Sequence, residues 1–388
     1  MGHRAAIVGA GHTRFGAVPE GPRALLRSAL DQALASVDRG LDRRRIGRGY
    51  LATLGFGGWQ IGNASAVLAE ELRCPGLATL RVENACASGG FAVQEAVREV
   101  AGGGSDVVVV AGLEKMTDVS SARRRYWLGV SGDTEWERQA GLTFAGVYGL
   151  IASQYLAHYG VPREALAEVA VKNHENGALN PNAHFQKRTT REQALASPTV
   201  ADPLGLYDCC PVSDGAAAVV VTTPELARSL TDTPVYVDGA GAASDFLAVQ
   251  ERPDLLGFPA SRQAAEVAFR AAGCRPADVR LLEAHDCFTI AELLAIEDLG
   301  LAPRGQAGEL TLSGATRRDG RLPVNPDGGL KAKGHPIGAT GVSQDYEIFQ
   351  QLRGTAGARQ LPGPAGPAVA HNVGGAGATA AVTVFSSG

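Results

Sequence analysis

The sequence predicts a layered α/β protein made of two halves that repeat each other, with an inserted loop domain. Three observations support this prediction. Strand-like and helix-like segments alternate along the 388 residues, which is typical of sheets covered by helices. The apolar, glycine-containing run 235–241 repeats the pattern of 5–11. The polar segment 114–213 has no counterpart in the second half.

The predicted elements of both halves follow one order: opening strand, polar turn, helix, strand and closing apolar run. In the first half these are 5–11, the turn at Cys86, a helix with an apolar face that ends at Gly102, 107–111 and 213–221. In the second half they are 235–241, the turn 334–341, a helix that ends at Gly354, 368–370 and 375–385.

This repeat predicts three segments. Residues 1–113 together with 214–230 form the N-terminal half, and 231–388 form the C-terminal half. Residues 114–213 form the inserted loop domain, a lid over the site, in which a helix begins near Pro162. The arginine run 123–125 is interpreted as a solvated edge of this lid, with a phosphate clamp as the alternative.

Composition excludes several classes of protein. Hydrophobic residues make up 45% of the chain and charged residues 20%, which allows a sizeable core. The net charge of −4 gives no reason to expect nucleic-acid binding. No apolar run approaches the roughly 18 residues of a membrane span. The six scattered cysteines, with no C-x-x-C pair, and the lack of a signal-peptide pattern in 1–9 predict a cytoplasmic protein.

Cys86 lies at the start of the first-half helix. Unsatisfied N–H groups and partial positive charge at a helix N-terminus stabilise a thiolate, which predicts a nucleophile. A buried structural cysteine is the alternative. The repeat places His335 at the corresponding helix start of the second half, so a pseudo-twofold axis is expected to bring the two side chains toward a common centre.

Two further polar clusters interrupt apolar runs in the second half. They are 285–288, which contains His285 and Cys287, and 371–375, which begins with His371. Both are predicted at turns, where α/β sheets build their sites.

These clusters resemble motifs of one enzyme family. The run 324–341, with its Gly-His-Pro turn, resembles the C-terminal signature of thiolases. The clusters 285–288 and 371–375 are similar to the branch that contains sterol-carrier-protein-type thiolases and archaeal-type acetyl-CoA acetyltransferases. The resemblance covers nearly the whole chain and implies the thiolase fold.

The resemblance implies a role for each cluster. Cys86 is the nucleophile that takes an acyl group from a thioester. His335 removes its proton and then helps to hold an oxyanion. His285 supports the enolate oxygen. Cys287 takes a proton from the α-carbon of the incoming thioester, with an inert buried thiol as the alternative. His371 positions or polarises the site, unless it is purely structural.

Backbone N–H groups near Cys86 and at Gly374 and Gly375 are expected to form an oxyanion hole. Val373 stands where ordinary thiolases have the glycine of a Cys-x-Gly turn, which is a departure from the family pattern.

The implied activity is acyl transfer between coenzyme A thioesters. It covers Claisen condensation of acetyl-CoA or acyl-CoA and thiolytic cleavage of a 3-ketoacyl-CoA, with no covalently bound cofactor. Two alternatives stay open: a specialised C-acyltransferase for a non-CoA acceptor, and an inactive scaffold subunit. The family implies a homodimer or a dimer of dimers, and this branch implies a small partner with an OB-fold and a zinc ribbon.

Two other sites are rejected on sequence grounds. The glycines at 9 and 11 suggest a dinucleotide-binding turn, but Arg14 stands where that pattern requires a third glycine. The spacings of His285, Cys287, His335 and His371 match no zinc pattern, so we predict no metal.

Overall fold

A computed structural model describes residues 4–362 and 366–388. The predicted segments 1–113 and 231–388 therefore each contain a few residues outside the described part. The strands are β1 Ala5–His12, β2 Arg48–Ala52, β3 Thr79–Val82, β4 Val107–Glu114, β5 Thr199–Ala201, β6 Leu204–Gly205, β7 Gly215–Thr222, β8 Val235–Ser244, β9 Leu281–Glu283, β10 Ala368–Gly374 and β11 Thr379–Ser386. The α-helices are α1 Pro22–Ala35, α2 Ala64–Leu72, α3 Ser88–Ala101, α4 Ser121–Gly129, α5 Phe144–Tyr159, α6 Arg163–Gly177, α7 Arg191–Leu195, α8 Pro224–Leu230, α9 Pro259–Ala272, α10 Thr289–Asp298, α11 Ala307–Leu312, α12 Gly329–Ala332 and α13 Thr340–Leu352.

The large sheet shows the internal repeat directly. Its nine strands have the order β3-β2-β4-β7-β1-β8-β11-β10-β9. Outward from the centre, β1-β7-β4-β2 corresponds to β8-β11-β10-β9. In both series the first two pairings are antiparallel and the third is parallel. The central β1–β8 pairing is antiparallel and joins the halves, with Ala6 opposite Tyr236. The predicted two-half α/β fold is confirmed.

Helices α3 and α13 occupy equivalent places in the two halves and pack on the same face of the sheet. Apolar residues of both helices, such as Val93, Val97 and Phe349, share one core cluster with the strands. The helices touch through glycines: a Cβ on Gly89 would lie 2.8 Å from the Cα of Gly341. This close approach brings the N-terminal ends of the two helices together.

Other helices cover the opposite face of the sheet. α1, α2 and α8 pack against the first-half strands, whereas α5, α9 and α10 share a larger cluster in the second half. Helices α4 to α7 and the β5–β6 pair lie between β4 and β7, within the predicted insertion. α6 begins at Arg163, directly after Pro162, and α3 ends before Gly102, as predicted. In the described ranges, no helix has the length and apolar character to cross a membrane.

One local prediction is wrong. His371 and Asn372 were expected at a turn, but both lie within β10, paired with Val382 and Ala381 of β11. Consecutive side chains of a strand point to opposite faces of the sheet. The two residues therefore have different surroundings.

Candidate active site

Cys86 is held in a strained turn just before α3. The preceding residue, Ala85, has a left-handed backbone with φ 49°, which is uncommon outside glycine. The Ser88 hydroxyl stabilises this turn, because it accepts a hydrogen bond from the Asn84 N–H (2.9 Å) and donates to the Ala85 carbonyl (2.6 Å). The thiol is thereby presented to a cavity at the helix N-terminus.

Burial governs the protonation state of Cys86. Burial raises the pKa of Cys86 to about 12, although the backbone N–H groups of Gly375 and of Cys86 itself act in the opposite direction. Desolvation of the charged form therefore outweighs the helix terminus. Cys86 rests as a thiol, so its activation requires a base.

His335 has the properties of that base. Its Nδ1 lies 2.7 Å from the hydroxyl of Thr340, and that hydroxyl donates its single proton to the Pro336 carbonyl at 2.9 Å. Nδ1 must therefore carry the ring proton, and Nε2 presents a lone pair. Burial lowers the pKa of His335 to about 3, which keeps the imidazole neutral. One ring nitrogen of His335, one of His285 and the Cys86 sulfur lie within 4.8 Å of one another.

Asn372 determines the tautomer of His285. The Asn372 side-chain oxygen accepts a hydrogen bond from the Gly90 N–H at 3.0 Å, which fixes the orientation of the amide. Its NH₂ group donates to the Cys86 carbonyl at 3.0 Å and faces His285 Nδ1 at 3.1 Å. Nδ1 is therefore an acceptor, and Nε2 carries the proton. Nε2 is buried with no hydrogen-bond partner in the described part of the chain. It is a donor held ready for an anionic oxygen.

The second thiol, Cys287, lines the same cavity as Cys86 and His335. The cavity has a volume of about 420 Å³, within the range of small-molecule sites. Burial raises the pKa of Cys287, and the nearby hydroxyl of Tyr148 acts in the opposite direction. Apolar residues dominate the rest of the lining, among them Met116, Leu128, Leu142, Phe144, Val200, Phe288 and Ile337.

Arg125 and Arg138 bring positive charge to this cavity. Both side chains contribute to its lining. Arg138 stacks on Tyr126, with 4.4 Å from its guanidinium carbon to the ring centroid. In residues 4–362 and 366–388 neither arginine pairs with a carboxylate. The interpretation of the run 123–125 as a solvated edge is therefore incomplete, because Arg125 also faces the cavity.

The two predicted backbone donors lie in different surroundings. The N–H of Gly375 faces the Cys86 sulfur, and Gly375 has φ 61°. Gly374 instead packs against the Cys86 turn, where an added Cβ would lie 2.5 Å from the carbonyl oxygen of Asn84. Of the two glycines, Gly375 therefore has the geometry of an oxyanion donor, and Gly374 permits the close approach of β10.

His371 lies outside the lining of the cavity. Its Nε2 lies 2.8 Å from the hydroxyl of Ser261 on α9, on the side of β10 opposite to the one that Asn372 faces. Burial lowers its pKa to about 3, so the ring is neutral. This position separates His371 from the group formed by Cys86, His285 and His335.

Two buried carboxylates hold the loops that carry these residues. Asp286 accepts hydrogen bonds from the Leu330 N–H (2.6 Å) and the Asn173 amide (2.7 Å), which ties the 285–288 segment to the loop before His335. Burial raises the pKa of Asp286 to about 7. Glu114 accepts from the Gly338 N–H at 3.2 Å and fixes the turn that follows His335.

The sequence analysis missed three contributors to this site. Thr340 follows His335 by five residues within the Gly-His-Pro signature, and that spacing could have identified it. Asn372 adjoins a predicted residue, but its role depends on the unexpected strand. Tyr148 lies in the insertion, and its sequence surroundings contain no signal for it.

The grouping of Cys86, His285 and His335 is also compact enough to suggest a metal site. The hydrogen bonds of His285 do not fit a metal ligand, however. Nδ1 accepts from Asn372 and Nε2 carries the proton, whereas a metal needs a nitrogen lone pair. The sequence prediction of no metal stays a prediction.

Family models now identify the chain. A model described as "Thiolase, N-terminal domain" matches residues 5–225, and one described as "Thiolase C-terminal domain-like" matches 241–387. The chain belongs to the thiolase family. The resemblance inferred from the motifs is confirmed, as is the thiolase fold.

Relatives of this thiolase match it over nearly its full length. It is 43% identical over 384 residues to an acetyl-CoA acetyltransferase of Methanothermobacter thermautotrophicus, covering 98% of this chain and 99% of the relative. It is 32% identical over 408 residues to sterol carrier protein 2 of Gallus gallus, covering 100% of this chain and 72% of the relative. The solved Ltp2-ChsH2(DUF35) aldolase superposes with a TM-score of 0.85 at 26% identity, covering 98% of this chain and 97% of the other.

Proposed function

We propose that this thiolase transfers acyl groups between coenzyme A thioesters through an acyl-Cys86 intermediate. The grouping of the Cys86 sulfur with one ring nitrogen each of His285 and His335 within 4.8 Å, at one cavity, carries the proposal. The relative named acetyl-CoA acetyltransferase supports acetyl-CoA as a substrate. Condensation and thiolytic cleavage are the two directions of this chemistry.

Acylation begins with a neutral site. His335 takes the thiol proton of Cys86 through Nε2, and the sulfur attacks the thioester carbonyl. The developing oxyanion accepts hydrogen bonds from the N–H groups of Gly375 and Cys86, the donors that face the sulfur. As the C–S bond breaks, the coenzyme A sulfur leaves and takes a proton from Cys287. His335 is then an imidazolium, and Cys287 is a thiolate.

Condensation restores the starting protonation states. The Cys287 thiolate takes the α-proton of a second acyl-CoA, and the enolate oxygen accepts a hydrogen bond from His285 Nε2. The enolate carbon attacks the acyl-Cys86 carbonyl, and a carbon–carbon bond replaces the carbon–sulfur bond. The Cys86 sulfur leaves as a thiolate and receives the proton that His335 holds. Every proton is accounted for, and the reverse sequence is thiolysis.

Two features support coenzyme A thioesters as substrates. Arg125 and Arg138 line the cavity without an ion pair inside the described ranges, so their guanidinium groups are free to pair with coenzyme A phosphates. The apolar walls suit the acyl group and the pantetheine arm. No covalently bound cofactor enters the proposed steps.

We also propose that the enzyme is a homo-oligomer that works with a small partner protein. β3 is an edge strand, so one of its sides has no neighbouring strand in the described sheet, and its residue Leu80 is exposed. Such an edge can pair with another chain, which supports a homo-oligomer. The Ltp2-ChsH2(DUF35) aldolase, a structural neighbour of this chain, includes a DUF35 protein. This assembly supports a partner for the present enzyme. A purified chain that turned over acetyl-CoA at full rate alone would argue against that requirement.

Intact-mass analysis after incubation with acetyl-CoA and longer acyl-CoAs tests the central proposal. We expect one added acyl group per chain, absent from Cys86→Ala and retained in Cys209→Ala, a cysteine that lines the same cavity. Cys287→Ala should keep the adduct, because His335 can return its proton to coenzyme A, but should lose condensation. No adduct with any acyl-CoA would favour the scaffold alternative.

A further inference from the structure

Tyr148 is a buried aromatic residue of the insertion that the proposed steps do not use. It lies on α5, is 1% exposed and lines the Cys86 cavity. Its ring stacks on Phe288, with centroids 4.5 Å apart at 23°, and meets Phe258 edge-on at 6.2 Å. These two contacts fix the ring and leave only the hydroxyl proton free to turn.

The hydroxyl of Tyr148 has two neighbours and a single proton. It donates to the carbonyl of Gly375 at 3.1 Å, and it lies beside Cys287 in the wall of the same cavity. A carbonyl can only accept a hydrogen bond. While Cys287 is a thiol, the tyrosine proton points at the Gly375 carbonyl.

Deprotonation of Cys287 changes what its sulfur requires from its neighbours. A thiolate has no proton to donate and needs donors, since a buried charge without hydrogen bonds is costly. We propose that Tyr148 is a positioning residue for Cys287: its hydroxyl turns from the Gly375 carbonyl to the sulfur and stabilises the thiolate that takes the α-proton. This inference rests on the proposed division of labour between Cys86 and Cys287.

The electrostatic surroundings support this role. Burial raises the pKa of Cys287, and the contact with Tyr148 lowers it. Burial also raises the pKa of Tyr148 well above its ordinary value, so the hydroxyl keeps its proton. The titratable and charged groups facing this pair are Cys86, Asp286, Cys210 and Arg252. The carboxylate of Asp286 raises the cost of a negative charge on Cys287, which increases the value of a neutral donor.

Tyr148→Phe tests the inference, with Tyr155→Phe as the matched control. Tyr155 is also buried on α5 and donates its hydroxyl proton to Glu297, away from the cavity. We expect Tyr148→Phe to retain the acyl-Cys86 adduct but to condense at least about tenfold more slowly. In a Cys86→Ala background, iodoacetamide labelling of Cys287, followed by peptide mass, should shift to higher pH by about one unit.

The outcomes separate this inference from the function on which it rests. If the wild type forms no acyl-enzyme, the proposed function fails. If the wild type acylates and condenses but Tyr148→Phe matches Tyr155→Phe in condensation rate and in Cys287 labelling, only the role of Tyr148 is overturned. Thermal unfolding of both variants shows whether a loss of activity reflects a loss of folded protein.

Discussion

At the scale of the single residue, Asn372 organises the site. Its amide bridges Gly90, the Cys86 carbonyl and His285. With Thr340 acting on His335, it gives the two histidines opposite tautomers, one presenting a lone pair and the other a proton. The proposed base and the proposed oxyanion donor are thus made from the same side-chain type.

Asn372→Ala should therefore slow condensation strongly while lowering the stability of the fold only moderately. Loss of a buried hydrogen-bonding group costs about 1–3 kcal/mol of unfolding free energy. Without the amide, His285 can exchange tautomers, and loss of an oxyanion donor lowers the rate on the order of a hundredfold. Steady-state condensation rates and denaturant unfolding measure the two effects.

Asn180→Ala is the control for this experiment. Asn180 is a buried amide that donates to the Asp327 carbonyl at 2.9 Å, away from both histidines. Equal losses of activity in the two variants would show that Asn372 is merely structural.

At the scale of the element, the contact between α3 and α13 places the proposed nucleophile, Cys86, and the proposed base, His335, together. Both helices begin with small residues, so their N-terminal ends meet at Gly89 and Gly341. The catalytic turns that precede the two helices converge as a consequence.

Gly341→Ala tests this contact. A Cβ at this position would lie 2.2 Å from the backbone nitrogen of Gly90 and 2.4 Å from the side-chain oxygen of Asn372. We expect the helices to separate, at a cost of about 1–3 kcal/mol in unfolding free energy, together with slower acylation of Cys86. Rapid-quench mass analysis gives that rate.

Gly62→Ala serves as the reference, because an added Cβ at Gly62 has no heavy atom within 4 Å in the described structure. Acylation at the wild-type rate in Gly341→Ala would contradict the proposed geometric role of the helix contact.

At the scale of the whole molecule, the two halves and the insertion together enclose the site, and its three histidines are buried. This burial makes the resting groups neutral, because it raises the pKa of Cys86 and lowers those of His285, His335 and His371. Neutral buried histidines also link the stability of the fold to pH.

His371→Gln should reveal this linkage. The pKa of His371 is about 3 in the folded protein, against an ordinary value of 6.5 for the unfolded chain. Only the unfolded chain gains a proton between these values, so the wild type loses stability as pH falls below about 6.5. At pH 5 this loss is about 2 kcal/mol for one histidine. His371→Gln lacks this titrating group. Its unfolding free energy relative to that of the wild type should therefore rise by about 2 kcal/mol between pH 7.5 and pH 5.

Urea unfolding at several pH values measures the difference. His158→Gln, which replaces an exposed histidine of α5, is the control and should not diverge from wild type in this way. If the unfolding free energies of wild type and His371→Gln differed by the same amount at all pH values, the neutral, buried state assigned to His371 would be contradicted.

The sequence by itself determined the two-half α/β fold, the family and the residue types of the site. Those inferences depend on periodicity, on the repeat between 5–11 and 235–241, and on motifs such as Gly334-His335-Pro336. Each of these signals can be recognised from short segments of the chain. The helix N-terminus, which favours a thiolate at Cys86, can be recognised from the sequence, whereas the desolvation that opposes it depends on distant segments.

Only the tertiary structure decided the protonation states and the partners of each group. Asn372 and His371 are adjacent in sequence, yet a strand directs them to Cys86 and to Ser261, on opposite faces. Tyr148 reaches Cys287 from 139 positions away in the chain. Tautomers, burial and such contacts arise from elements packed across a twofold axis, and the local pattern of a sequence does not encode them.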